Sequence, residues 1–411
     1  MKKNIVVMLL VFLCIIILSS CKKDNVQQNI SSKSTETVEL LLWGSEEDKA
    51  LLNEIVQTFQ KQYQNEANFQ ITIEAQGEAQ CKDVLLAGLE QGADVFTFAD
   101  DQVSALAAAG ALNAIQNADD IKQNNLSAAV DAATIRNTIY AYPLTADNGY
   151  FLYYNKRYFS DEDIQTLDRI LDVAAENGGL FAMDWSSAWY VYSFFGNTGM
   201  EVGLNEDGIT NYCTWNRQDG DIKGIDVAQA MLNIARKPAF SNRTDEEFLQ
   251  GVKDGTVIAG VSGVWNAVAI EEKWGEYIGA AKLPTYTCAD RQIQMASFSG
   301  CKLIGVNAYS KQYEWACKLA EWITNEQNQK LRFKMRGQSP SNIQAAASSE
   351  VQQSPAIAAL LEQSEFSQPQ RVGGKFWEPV TIFGENMASG NATGEDLQKQ
   401  LNKMVESIIE R

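Results

Sequence analysis

An α/β fold divided between two lobes is predicted by three features of the sequence. At 411 residues the chain exceeds the size at which a single hydrophobic core keeps growing, so two packed bodies are expected. Apolar runs of strand length alternate with segments of helical periodicity, the pattern of α/β lobes with a largely parallel sheet. Residues 140–156 read as two aromatic extended pieces separated by a break at Pro143 and a polar turn at Asp147-Asn148-Gly149. Taken alone this stretch is a surface turn, and it also stands where two halves of the chain meet.

The elements follow in order. Val38-Glu-Leu-Leu-Leu-Trp43 is a near-continuous apolar run, as in a strand buried on both faces. Leu51, Leu52, Ile55, Phe59 and Tyr63 recur at helical spacing. Residues 69–74 alternate like a strand, 84–89 look helical, and 94–98 form another strand. A helix carrying Val103 and Leu106 should end at Gly110. Beyond the central stretch, helices are predicted over 164–175, 227–235 and 245–252, with an aromatic-rich run over 181–195. Residues 257–262 and 303–306 read as strands, and 280–286 as an extended piece. A helix on Tyr313, Ala316, Leu319, Ala320 and Ile323 follows, and an amphipathic helix on Leu397, Leu401, Met404, Val405 and Ile408 ends the chain, with Thr393 as its expected N-cap.

The N-terminus has a different character. Lys2 and Lys3 precede an uninterrupted apolar run over residues 5–18, too short for a membrane span of ~20 residues and suited to a secretory signal. It ends Leu18-Ser-Ser-Cys21, which resembles a bacterial lipobox, with Cys21 as the lipidated residue. Residues 1–20 are therefore expected to be a lipoprotein signal peptide. Residues 21–37, poor in apolar side chains, are expected to be a flexible tether spanning roughly 20–24 Å as a random coil. Of the remaining cysteines, Cys81, Cys213, Cys288, Cys301 and Cys317, an odd number, none forms a Cys-x-x-Cys pair. Cys288 and Cys301 could bridge across residues 289–300 if secretion oxidises them, or stay free.

Composition excludes several chemistries. The chain has no histidine, which removes Ser-His-Asp and Cys-His catalysis and His-ligated zinc. No glycine-rich segment follows a nucleotide fingerprint. A net charge of −18 without a basic stripe makes nucleic acid and anionic headgroups poor partners. A glycosidase needs only two carboxylates and stays open. Ligands of open α/β sheets lie beyond the C-terminal strand ends. Here those ends carry Glu46, Glu47 and Asp48, then Asp100, Asp101 and Gln102, the turn at Asp147-Asn148, and Trp265-Asn266. Carboxylates accept from neutral hydroxyls and aromatic faces stack on the C–H faces of pyranose rings, a combination suited to an uncharged sugar.

Leu-Leu-Leu-Trp43-Gly, Ala93-Asp-Val-Phe-Thr-Phe98-Ala-Asp-Asp101-Gln102, Gly110-Ala-Leu and Tyr142-Pro143…Tyr153-Tyr-Asn-Lys156 resemble the first lobe of family 1 extracellular solute-binding proteins, the maltose/maltodextrin-binding group. The resemblance continues through Phe240-Ser-Asn, Ser262-Gly-Val-Trp265, Ala281-Lys-Leu-Pro-Thr-Tyr286, Gly305-Val-Asn-Ala-Tyr-Ser310, Pro340-Ser-Asn and Phe376-Trp377-Glu-Pro. It implies a two-lobed periplasmic-binding-protein-like fold with discontinuous lobes, residues 38–145 plus 303–342 and 146–302 plus 343–411. Hinge crossings would fall in the central stretch, near 300–302 and near 340–343, around an interlobe ligand cleft.

The same resemblance implies capture of a maltooligosaccharide-type sugar for the membrane permease of an ABC importer. The protein would be a monomer anchored by its lipid on the extracytoplasmic face of the bacterial membrane, with no enzymatic step and no cofactor or metal. Carried over by position, Glu46, Glu47 and Asp101 would meet sugar hydroxyls, and Phe98, Trp265, Trp377 and either Trp189 or Tyr190 would stack on sugar rings. Gln102 stands where an arginine is frequent, and Asp147 or Asn148 approximates a hinge-side glutamate. Another oligosaccharide in the same cleft, or a lipid-anchored glycosidase, are the alternatives.

Overall fold

The computed structural model describes residues 37–410. The signal-peptide and Cys21 expectations lie outside the described residues, as does the tether apart from Thr37, which opens the first strand. Among the described residues no helix is long and apolar enough to cross a membrane.

Two five-stranded sheets, each with its own core, build the molecule. In the first, the strand order is Asn68–Ala75, Thr37–Gly44, Val95–Ala99, Lys302–Val306 and Tyr142–Pro143. The first three run parallel, whereas Lys302–Val306 is antiparallel to both its neighbours. The sheet is thus mixed where the alternation predicted a largely parallel one, because a strand arriving from the other lobe enters against the direction of the rest. In the second sheet the order is Phe240–Asn242, Leu180–Met183, Val257–Gly263, Tyr150–Asn155 and Ile278–Ala281. Its last two strands are also antiparallel to their neighbours.

The cores follow the same division. Residues from 38–144 and 301–323 share one hydrophobic cluster, and residues from 150–298 and 351–408 fill the others. Helix Lys49–Gln62 buries Leu51, Leu52, Ile55, Val56 and Phe59 on the first sheet, the face its periodicity predicted. The Phe69 ring meets Phe59 at 5.2 Å and Trp315 at 4.8 Å. In the second lobe Phe195 stacks on Trp215 at 4.2 Å, and the C-terminal helices Trp377–Ala388 and Leu397–Ile409 cover the helical layer. Asp396, not Thr393, caps the last helix, accepting from the Lys399 amide at 2.9 Å. Thr393 lies three residues too early, in a turn closed by Asn386 and Asn391.

The lobes are joined by three segments lying side by side. The first runs from Pro143, in one sheet, to Tyr150, in the other. Its Leu144 and Thr145 amides donate to Lys302 O at 3.0 and 3.2 Å, and Asn148 donates to Gly300 O at 3.0 Å. On its other side Ala146 donates to Ser339 O at 3.0 Å, and Thr145 bridges Pro340. The central stretch is therefore the middle strand of a three-segment hinge, not a surface turn. Cys288 and Cys301 belong to different cores, and all five described cysteines are free, so no disulfide links them.

Candidate functional site

On the first lobe, the strand Val95–Ala99 ends in a tight turn, Asp100–Gln102, at the hinge. The Asp100 amide donates to Cys301 O at 3.1 Å, tying this turn to the second crossing. Gly300 is required there, since a Cβ would come within 2.6 Å of an Asp100 carboxylate oxygen. Asp100 and Asp101 are half-buried, and each accepts from Gln370 Nε2 at 3.2 Å. Gln370 follows the strand Ser367–Pro369, which pairs with Ser297–Ser299 on the second-lobe side of the crossing. Its amide thus reaches across the lobes. Its Oε1 is buried without a hydrogen-bond partner. Burial pushes both carboxyls above the ordinary carboxylate range. At Asp101 the adjacent Asp100 charge adds to that push, against the pull of Lys82.

On the second lobe, aromatic rings gather around the hinge. Tyr150, the first residue after the central crossing, lies 5.8 Å from Trp189 and 4.8 Å from Tyr190. Its hydroxyl donates to Trp189 O at 2.7 Å. Trp189 is in turn 6.3 Å from Trp265, which stands just beyond the buried strand Val257–Gly263. A Cβ on Gly263 would fall 2.0 Å from the Trp265 ring, so the glycine lets the indole fold back over the strand end. Beside the second crossing, Tyr192 stacks on Phe298 at 4.0 Å, and Phe298 is 6.3 Å from Trp377. Trp189, Trp265 and Trp377 are all half-buried.

Several expected ligand contacts have other work. Phe98 is 0% exposed, inside the first core, with its ring 5.5 Å from Phe96. A side chain on that face of a central strand points into the lobe, so it offers no surface for stacking. Gln102 is also buried. Its Oε1 accepts from the Lys82 amide at 2.9 Å, and its Nε2 donates to Glu78 O at 2.7 Å and Ala79 O at 3.2 Å. It holds a loop that would otherwise leave backbone groups unpaired. Asp147 is 3% exposed, and its carboxylate accepts from the Ser339 amide of the third crossing. Asn148 is buried beside Gly300. The polar stretch braces the hinge. Burial raises the Asp147 carboxyl to about 6, opposed by the Thr145 hydroxyl, Lys302 and the Ser339 amide. A cavity of about 250 Å³ beside the crossings is lined by Asp100, Asp147, Asn148, Phe298 and Leu360.

Glu46 and Glu47 are exposed on the single turn Glu46–Asp48 that ends the first strand. The turn is fastened by Asp48, whose carboxylate accepts from Arg332 and, at 3.0 Å, from Arg336 Nε. Sequence reasoning placed no role on Asp100 beyond its neighbour, nor on Gln370 or Asp245. Asp100 stood in a strand-end motif and was within reach. Gln370 sits in no motif and becomes visible only when Ser367–Pro369 pairs beside the hinge.

Comparison with known proteins agrees with this architecture. Residues 54–359 match the family described as bacterial extracellular solute-binding protein. The galactooligosaccharide-binding protein of Bacillus subtilis (strain 168) is 25% identical over 390 residues, covering 91% of this chain and 90% of its own length. A maltooligosaccharide ABC transporter solute-binding lipoprotein of Streptococcus pneumoniae (strain ATCC BAA-255 / R6) is 23% identical, covering 89% of this chain and 87% of its own. A structure solved with acarbose superposes with a TM-score of 0.80 at 28% identity, covering 91% of this chain and 99% of the other. With three-quarters of its length inside the family match and both lobes and hinge in place, the chain belongs to the bacterial extracellular solute-binding proteins.

Proposed function

We propose that the chain captures a maltooligosaccharide-type carbohydrate between its lobes by hinge closure and hands it to the permease of an ABC importer. It does so as a monomer lipid-anchored through Cys21 on the extracytoplasmic face of the membrane, without itself catalysing a reaction. The observation that carries the reading is the pairing of half-buried indoles with carboxylates across one hinge. Trp189 and Trp265 stand with Tyr150 on the second lobe, and Asp100 and Asp101 on the first. Rings and hydroxyl acceptors on opposite lobes are what a sugar needs to draw the lobes together. Glu46, Glu47, Asp101, Trp189, Trp265 and Trp377 are the proposed contacts. Residues 38–145 plus 303–342 and 146–302 plus 343–411 are the proposed moving bodies, a division supported by the separate cores.

A ligand at ~100 times its dissociation constant stabilises the folded state by about 2.7 kcal/mol, which a thermal-shift screen detects. Maltotriose and longer maltodextrins are expected to raise the melting temperature. No shift with any α-glucan would overturn the maltooligosaccharide assignment. The similarity to a galactooligosaccharide-binding protein favours a second reading, a different oligosaccharide in the same cleft, so galactooligosaccharides belong in the screen. Release of glucose or maltose from maltotriose, abolished by a carboxylate substitution, would replace transport with hydrolysis.

A further inference from the structure

Asp245 opens the helix Asp245–Asp254, yet it does not cap it. Thr244 is the N-cap, accepting from the Glu247 amide at 3.3 Å, and Glu247 Oε2 accepts from the Thr244 amide at 3.0 Å. The Asp245 carboxylate is thus free for other partners, and it turns back into the second lobe. Oδ2 accepts from the Tyr190 hydroxyl at 2.9 Å. Oδ1 accepts from Ser262 Oγ at 2.8 Å and Asn266 Nδ2 at 3.4 Å. Asn266 directly follows Trp265, so the carboxylate is tied on both sides of the step that carries that indole. Asn266 also donates to Ser262 Oγ at 2.9 Å, closing the network.

These donors come from the helix Ala188–Phe195, the strand Val257–Gly263 and the turn after it. One of them, Tyr190, packs its ring against Tyr150 behind the hinge-side aromatic face, and another, Asn266, adjoins Trp265, whose ring lies 6.3 Å from Trp189. Gly263 leaves the Trp265 indole free to lie over the strand end, so sterics alone do not hold it there. The Asp245 carboxylate fixes the turn that carries it, through Ser262 Oγ and Asn266 Nδ2.

We infer that Asp245 is a positioning residue for sugar capture, one carboxylate that holds Tyr190 and the turn bearing Trp265 and so keeps the Trp265 ring in place before a ligand arrives. The inference rests on the sugar-capture reading above. A ring already held in its bound orientation loses less freedom on binding, and the gain appears in affinity. A hydrogen bond to a charged group corresponds to about a tenfold change in an equilibrium constant.

The test compares the mature wild-type protein with Asp245→Ala, Asp245→Asn, Trp265→Ala and the Asp245→Ala/Trp265→Ala pair. Maltotriose affinity is read by calorimetry, and acrylamide quenching of tryptophan emission is read without ligand. Asp245→Ala is expected to weaken maltotriose binding about tenfold and to increase quenching, and Asp245→Asn, which keeps an acceptor, to restore most of both. The double variant is expected to bind no worse than Trp265→Ala, since the carboxylate acts through that ring. Wild-type affinity and quenching in Asp245→Ala, or losses that multiply in the double variant, would overturn the inference. Should Asp245→Ala fail to fold, unchanged affinity and quenching in Asp245→Asn and a multiplicative loss with Trp265→Ala would do the same. If the wild-type protein ignores maltotriose, the sugar assignment fails, while ligand-free quenching still decides whether Asp245 holds the indole.

Discussion

Truncating Asp48 should strand a cation inside the first lobe. Asp48 and Arg332 are each 1% exposed at the side chain. Arg332 Nη1 donates to Asp48 and, at 2.7 Å, to Gln338 Oε1, whereas its Nε and Nη2 are buried without partners. Burial by itself would raise the Asp48 carboxyl. Arg332 above all, with Lys302 and Arg336, overrides that and lowers it from 3.8 to about 2. By linkage this corresponds to stability on the order of 2 kcal/mol, present above pH ~4 and lost as pH falls toward 2. Deleting the carboxylate goes further than protonating it, because no acceptor remains, and breaking a buried pair from one side costs about 3–5 kcal/mol. Urea unfolding of Asp48→Ala at pH 7 is expected to show a loss in that range. Asp48→Leu combined with Arg332→Met removes both charges and should recover most of it. A loss under ~0.5 kcal/mol in Asp48→Ala, or a double variant worse than the sum of its singles, would refute the reasoning.

Phe98→Ala should destabilise the first lobe by about 3–5 kcal/mol in urea unfolding, the cost of a large core cavity; a stable variant with lost sugar affinity would return Phe98 to the cleft. For Asp147 the folded form holds its proton to about 6, against 3.8 unfolded. Below about 4 both forms are protonated, between about 4 and 6 only the unfolded form ionises, and above about 6 both are ionised. Its contribution therefore falls as pH rises through that window, and Asp147→Asn, measured by urea unfolding at several pH values, should flatten the slope there. Cell fractionation of Cys21→Ala should find the protein released from the membrane; unchanged retention would refute the lipid anchor.

Periodicity and turn chemistry carried the local structure. The alternation of residues 69–74, the apolar face from Leu51 to Phe59 and the buried run from Val257 all reappear in place, because each is imposed by which neighbours a strand or helix must bury. Motif order carried the two-lobed architecture through resemblance. Side-chain direction was beyond either. Phe98 and Asp101 lie three residues apart on one strand end, yet one points into the core and the other toward Gln370. That choice depends on the pleat of a central strand and on which segment lies opposite.

The sequence by itself determined that the chain forms α/β elements, lacks histidine chemistry, and carries two aromatic extended pieces on either side of Asp147-Asn148-Gly149. Those are properties of composition and of a few consecutive residues. Only the tertiary structure decided that the stretch between them is the middle strand of a hinge and no turn, that Asp147 braces Ser339 and that Gln370 reaches Asp100 and Asp101. Each of these contacts joins residues about 150 or more positions apart, and no local pattern encodes a partner at that distance.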